Sequence, residues 1–336
     1  MTSKISILFA ILLICLAFLG TGCNGPRARW GFTPLEKYGD PDQLGTHSYH
    51  FSGSEGCGVL YTLRGGSVDP DHIRGIADLT RWTYLRSKST IEKGKRSFAV
   101  SPSFEITTNK VKIQYPDNWE DLSKADKEDI AHEAALIIAP VVSYHCSVWH
   151  EMLTWKGTHF ALIEPEHNSA FSWEDMYSNL IGTELAMQAI RNGNIKVSDY
   201  NRAMTKLINE ELQRLQVVSR DEAIEIVESV RGTWHKGAFK LMKRNMDIGC
   251  DDGMITPSMI PCFTDEEPIS RTIPTLYGLD NICITIQYTI SSVYWENIEL
   301  KKIAGTKTAV EPINHYPVIM KNIEQEAIDK YGYTIR

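Results

Sequence analysis

SKADKEDIAHEAALIIAPVVSYHCSVWHEMLTWK, residues 123–156, decides the fold class. Ser123 reads as an N-cap, acidic residues fill the first turn, and the following pattern has helical rather than strand period. Pro140 lacks an N–H near the middle, so two helices or one bent helix are expected. Working outward, Ser172 is expected to open another helix with Asp175 in a capping-box-like position, and Gly193 to close it. Ser198 and Ser219 are expected to cap two more, the second with Glu222 in capping-box register. The middle of the chain therefore reads as a helical bundle.

On the flanks, Cys57–Arg64 (CGVLYTLR) reads as a strand ending at Gly65-Gly66, and Asp69-Pro70 starts a helix to about Arg86. Residues 97–115 alternate around Thr108-Asn109, which predicts a hairpin with one polar face. Asn281–Trp295 is rich in β-branched and aromatic residues, and Tyr316–Tyr331 returns to helix with Ile319, Ile323 and Ala327 on one face. No internal repeat appears. The expected class is α+β, a helix-dominated bundle with small β hairpin and sheet elements.

With 336 residues and 43% hydrophobic content the chain can bury a real core, which excludes disordered, collagenous and multi-span membrane classes. Its formal charge of −7, from 35 basic and 42 acidic residues, and the lack of a dense Lys/Arg segment argue against a nucleic-acid partner.

Residues 1–23, MTSKISILFAILLICLAFLGTGC, have one basic residue, an apolar run and a small-residue end: a signal-peptide layout. Gly20-Thr21-Gly22-Cys23 resembles a bacterial lipobox, with Gly20 where Leu is usual. Cleavage would leave Cys23 to carry lipid, palmitate included, at about 0.8 kcal/mol per buried methylene. The expected organisation is a signal peptide at 1–22, a lipidated N-terminus and linker at 23–45, and a single α+β domain at 46–336. The expected location is the bacterial cell envelope, on its periplasmic or extracellular face, with the membrane as partner through that lipid. Disulfides can persist there, and Cys250 and Cys262, which bracket a short Gly/Pro-containing loop, are the preferred pair.

On the helix after Pro140, Ser143, Ser147, His150 and Thr154 share a face, with Glu151 beside His150. Such a stripe is either a site or a buried polar network joining helices. His150-Glu151-Met152-Leu153-Thr154 lacks the second histidine of the HExxH zinc motif. Glu174 or Asp175 from the next helix could instead join His150 to hold a divalent metal: zinc, iron or manganese. The Gly65-Gly66 turn before a helix carrying His72 and Arg74 could hold a substrate on free N–H groups; the alternative is a plain turn with an Arg74–Asp78 ion pair.

Three blocks together resemble an uncharacterised bacterial lipoprotein family, domain of unknown function 4056. They are Arg64-Gly65-Gly66 with Val68-Asp69, His72-Ile73-Arg74 and Asp78; Trp149-His150-Glu151 with Thr154-Trp155; and Phe171-Ser172-Trp173-Glu174-Asp175 with Tyr177-Ser178-Asn179-Leu180 and Gly182. The resemblance runs to about residue 250. It implies an envelope lipoprotein and supplies no reaction. The residues themselves suggest a metal-assisted hydrolase of an envelope component: His150, Glu151 and His72 as catalytic groups with Glu151 the general base, His150, Glu174 and Asp175 as metal ligands, and Gly65, Gly66 and Arg74 on the substrate. The alternative is a non-catalytic envelope binding or scaffold lipoprotein.

Overall fold

A computed structural model describes residues 37–49, 57–102, 107–157, 159–160, 164–165, 169–237, 240–292 and 296–335. Its helices are α1 (Pro70–Glu92), α2 (Lys124–Trp155), α3 (Asp175–Arg191), α4 (Val197–Arg214), α5 (Arg220–Glu228), α6 (Glu296–Ile303) and α7 (Pro312–Tyr331). Its strands are β1 (Leu60–Thr62), β2 (Gly66–Val68), β3 (Ser97–Val100), β4 (Thr107–Gln114), β5 (His159–Phe160), β6 (Glu164–Pro165), β7 (Met254–Ile255), β8 (Arg271–Thr272) and β9 (Thr285–Ser292). The protein is helix-dominated α+β, as its sequence implies.

Helix α1 is the centre of the molecule. Asp69 caps it by accepting from Asp71 N at 2.7 Å, and Pro70 stands where its missing N–H costs nothing. It runs to Glu92, a turn and a half beyond the expected end, and packs along both α2 and α3, which also touch each other. The crossing of α1 and α3 needs Gly182, where a Cβ would lie 2.2 Å from the Ile73 carbonyl oxygen. Helix α4 lies further out and buries only one stripe, Tyr200, Met204, Ile208 and Leu212.

Helix α2 is one helix through Pro140, not two. Its N-cap is Ser123, which accepts from Asp126 N at 3.1 Å, and Ser219 caps α5 through Glu222 N at 3.3 Å. Ser198 is not a cap: α4 opens at Val197, two residues earlier than that cap would place it, after Lys196 and with no side-chain cap.

The largest sheet is antiparallel in the order β3-β4-β9. Phe98, Val111 and Tyr288 share one row facing the core, while Lys110, Lys112 and Gln114 face outward. The expected hairpin exists, but Thr108 and Asn109 lie inside β4, paired with Ser291 and Ile290, and the reversal falls before residue 107. Asn109 is buried and accepts from the Tyr288 hydroxyl at 2.8 Å, so a pair that reads as a turn is satisfied across the sheet. Beyond Gly65-Gly66 the chain makes β2, antiparallel to β1, before α1 begins. One apolar cluster extends from Leu44 to Ala327 and includes Ile319 and Ile323 of α7. Among the described residues no helix is long and apolar enough to cross a membrane.

Gly182→Ala should destabilise the protein by about 1–3 kcal/mol, because the methyl group meets backbone that cannot swing away. Urea unfolding midpoints of the two proteins measure it.

Candidate acid–base site

The N-termini of α1 and α3 meet beside the last turns of α2, and acidic side chains collect there because helix N-termini favour negative charge. The site's hub is the loop of Ala170, Phe171 and Ser172 that leads into α3. Phe171 has a left-handed backbone, φ 54°, costly for a bulky side chain and held only where the surroundings over-determine it. Glu151 Oε2 accepts from Phe171 N at 2.8 Å, and Asn245 N donates to the Phe171 carbonyl at 3.0 Å. Arg244, fully buried, donates to the Ala170 carbonyl at 2.7 Å. Asp175 Oδ2 reaches back to Ser172 N at 2.7 Å, while Ser172 Oγ donates to Glu174 Oε1 at 2.6 Å.

His72 completes the site from the first turn of α1. Its Nδ1 lies 3.2 Å from Asp175 Oδ1, and its side chain is 12% exposed where that of Asp175 is 4%. Behind it, Asp69 N donates to Ser178 Oγ at 2.9 Å, which fixes the start of α1 to α3.

Electrostatics sort these groups. Burial, then the charge of Asp175, holds Glu151 and Glu174 well above the ordinary carboxylate range, to about 8. The His150 charge, the Phe171 N–H and His72 partly offset this at Glu151; at Glu174 the Ser172 hydroxyl and His72 do, and Asp69 adds to the rise. Burial works against charge on His72, but Asp69, the bond to and charge of Asp175, and Glu151 together raise it to about 10. At neutral pH the site is therefore rich in protons: two neutral carboxylic acids and an imidazolium beside the Asp175 carboxylate. Burial and the Asp175 charge thus favour the protonated form of Glu151, the residue expected as a general base. Glu174 Oε2 and the Asn179 side-chain amide, one turn beyond Asp175 on the same face of α3, are buried without a hydrogen-bond partner.

Of the expected site residues, His72, Glu151, Glu174 and Asp175 come together. Gly65 and Gly66 do not join them: they form the β1–β2 turn, Gly65 N donates to Thr62 Oγ1 at 3.0 Å, and a Cβ on Gly66 would lie 2.3 Å from the Ser258 carbonyl oxygen. That turn is filled by protein and offers no substrate cradle. Arg74 is equally committed, buried with Nη2 on the Leu44 carbonyl at 3.0 Å and Nη1 on Cys57 Sγ at 3.2 Å. Asp78 pairs with the buried His47 at 3.0 Å.

The polar stripe of α2 divides. Ser143 donates to Thr83 Oγ1 at 3.3 Å and Ser147 to the Tyr144 carbonyl at 2.7 Å, a network joining and satisfying helices, whereas Glu151 turns into the site. His150 is half-buried beside it. Among the described residues no group of three His, Cys, Asp or Glu side chains is disposed to hold a metal. The expected set of His150, Glu174 and Asp175 is thus not assembled, because Glu174 turns to Ser172 and Asp175 to His72 and Ser172. Cys250 and Cys262 are exposed thiols, not a disulfide; the segment between them is drawn out as β7 against β8 and does not close on itself. Cys23 lies outside the described residues.

Sequence reasoning missed Arg244. Nothing near it marks a site, and its place depends on the C-terminal tail, where the Thr334 carbonyl accepts from Arg244 N at 2.7 Å and the Tyr333 ring lies 4.9 Å from its guanidinium. Phe171 was legible only as part of a block, and its strain was not.

Residues 35–252 match the family described as protein of unknown function, DUF4056. The chain belongs to that family. The match includes every residue of the acid–base cluster and stops short of the tail that packs on Arg244. No curated protein and no solved structure matches the chain.

The proton-rich cluster sets a direction for pH dependence. Glu151 and Glu174, raised in the folded state, contribute stability present below about 4.5 and lost as pH rises through about 8; that of His72 is present below 6.5 and lost through about 10. The melting temperature should therefore fall between pH 5 and pH 9. Glu151→Gln should flatten the slope between pH 5 and 8, with differential scanning calorimetry as the check; an unchanged slope would mean Glu151 ionises normally.

Proposed function

We propose that this protein is a lipid-anchored envelope protein that hydrolyses an envelope component at the His72, Glu151, Glu174 and Asp175 cluster. The N-terminal leader ending at Cys23 supports the anchor. The observation that carries the chemistry is the separation of carboxyl groups within one cluster: Glu151 and Glu174 keep their protons near neutrality while Asp175 pairs with His72. Groups pushed apart in this way can divide acid and base roles. Glu151 gives its proton to the leaving group, the Asp175 carboxylate, steadied by His72, takes the proton of the attacking water, and the clamped Phe171 loop holds their spacing. No step in this reading passes through a metal.

A second reading has its own observation. Glu151, Glu174 and Asp175 are each at most 4% exposed, and only His72 reaches the surface of the cluster. In a non-catalytic scaffold or binding lipoprotein, the same groups would serve only to fasten three helices.

Two measurements separate the parts of the proposal. Labelled palmitate fed to cells expressing the full chain should enter the protein, and Cys23→Ser should abolish it; equal labelling would end the anchor reading. Purified protein incubated with isolated peptidoglycan and envelope lipids should release new products detectable by mass spectrometry. Glu151→Gln should reduce that release by a factor of about 10² or more while circular dichroism stays unchanged. A wild-type protein without products, or variants that lose activity only as they unfold, would favour the scaffold.

A further inference from the structure

The C-terminal end of α1 and the β3–β4 hairpin gather positive charge that the linear sequence spreads out. Residues 86–112 hold seven basic and two acidic side chains, in a chain whose formal charge is −7. The fold brings the two ends of this stretch side by side: Ile113 N donates to the Arg96 carbonyl at 2.9 Å, the Tyr115 hydroxyl to the Lys95 carbonyl at 2.7 Å, and Ser97 sits opposite Lys112. Lys93, Lys95, Arg96, Lys110 and Lys112 are all exposed. The neighbouring β9, TIQYTISS, extends the outward face without an acidic side chain, and Lys112 Nζ reaches Gln287 Oε1 at 3.3 Å. Carboxylates border the patch: Glu92 pairs with Lys88, Glu128 with Lys124, Glu311 lies past Gln287, and the exposed Glu120 and Asp121 follow Trp119, whose ring lies against Gly94.

We infer that this basic end docks on the headgroups of an anionic phospholipid bilayer, which orients the body on the membrane. The inference rests on the envelope placement proposed above. Charge segregation argues for a flat anionic surface: the acidic remainder is repelled by it, so only this end can approach within a Debye length of about 8–10 Å. The cavity of about 480 Å³ at its edge, between Glu92, Lys93, Lys124, Lys127 and Glu128, is lined by both signs of charge, unlike a groove that tracks a polyanionic strand.

The test uses the full chain on vesicles of phosphatidylcholine alone or mixed with phosphatidylglycerol, with lysine labelling by an amine-reactive reagent read by mass spectrometry. Lys93, Lys95, Lys110 and Lys112 should label several-fold more slowly on the anionic vesicles, while the exposed Lys206 of α4 does not change. High salt should remove the difference. A variant with Lys93→Glu, Lys95→Glu, Lys110→Glu and Lys112→Glu should lose the contrast without change in its circular dichroism, each reversed charge weakening association about fivefold. Equal labelling on both vesicles overturns the proposal. So does protection that includes Lys206, or protection by soluble polyphosphate with none on vesicles. Failure of palmitate labelling would not produce any of these patterns, because both vesicle arms carry the same chain.

Discussion

The bond from the Phe171 N–H to Glu151 joins the longest helix to a loop that could not otherwise hold its shape. A phenylalanine in left-handed backbone costs on the order of 1–3 kcal/mol, and the loop bears that cost because Glu151, Arg244 and Asn245 grip it from three directions. The direction of α3 follows from this loop, since Ser172 is tied to Asp175 and α3 begins there. The start of α1 follows in turn through Ser178 and Asp69. Burial and the Asp175 charge hold Glu151 as a neutral acid near neutral pH, although the Phe171 N–H that it grips pulls the other way by favouring the carboxylate.

Two opposing effects decide how much acid can gather here. Helix N-termini attract carboxylates, while burial and mutual repulsion expel their charge. The cluster satisfies both by neutralising Glu151 and Glu174 and by facing Asp175 with His72. Burial lowers the Arg244 pKa, and Tyr333, then Asp175 and Glu151, offset part of that. Removing His72 would thus leave the buried Asp175 without its counter-ion, which is a larger disturbance than the loss of one hydrogen bond.

Helix class and caps were legible where the signal is local. Ser123, Ser219, Asp69-Pro70 and Gly193 each fix a helix end through bonds to residues within a turn, and sequence spacing exposes them. Local signals misled where a distant partner takes over. Thr108-Asn109 has turn chemistry, but Tyr288, far along the chain, satisfies Asn109 inside a strand. Gly65-Gly66 looks open in sequence, yet Ser258 packs against it from a segment nothing local would name. The site divides on the same line: His72, Glu151, Glu174 and Asp175 sit on helices whose ends were readable, whereas Arg244 is placed by residues of the C-terminal tail. Chemistry was harder still, because whether Glu151 is base or acid depends on burial, which spacing does not carry.

Helix α1 ties the two ends of the molecule. It is roughly 34 Å long, and His72 in its first turn stands about 30 Å from Glu92 beside the basic hairpin. A body held by that basic end would carry the acid–base cluster on the order of 30 Å from the headgroups, beyond several Debye lengths, so the membrane's charge would not bias its protons. The cluster would then face whatever lies outside the bilayer rather than the lipid itself. On the proposed reading the lipid would set the surface and the cations the tilt, and the length of α1 would set the height at which the cluster works.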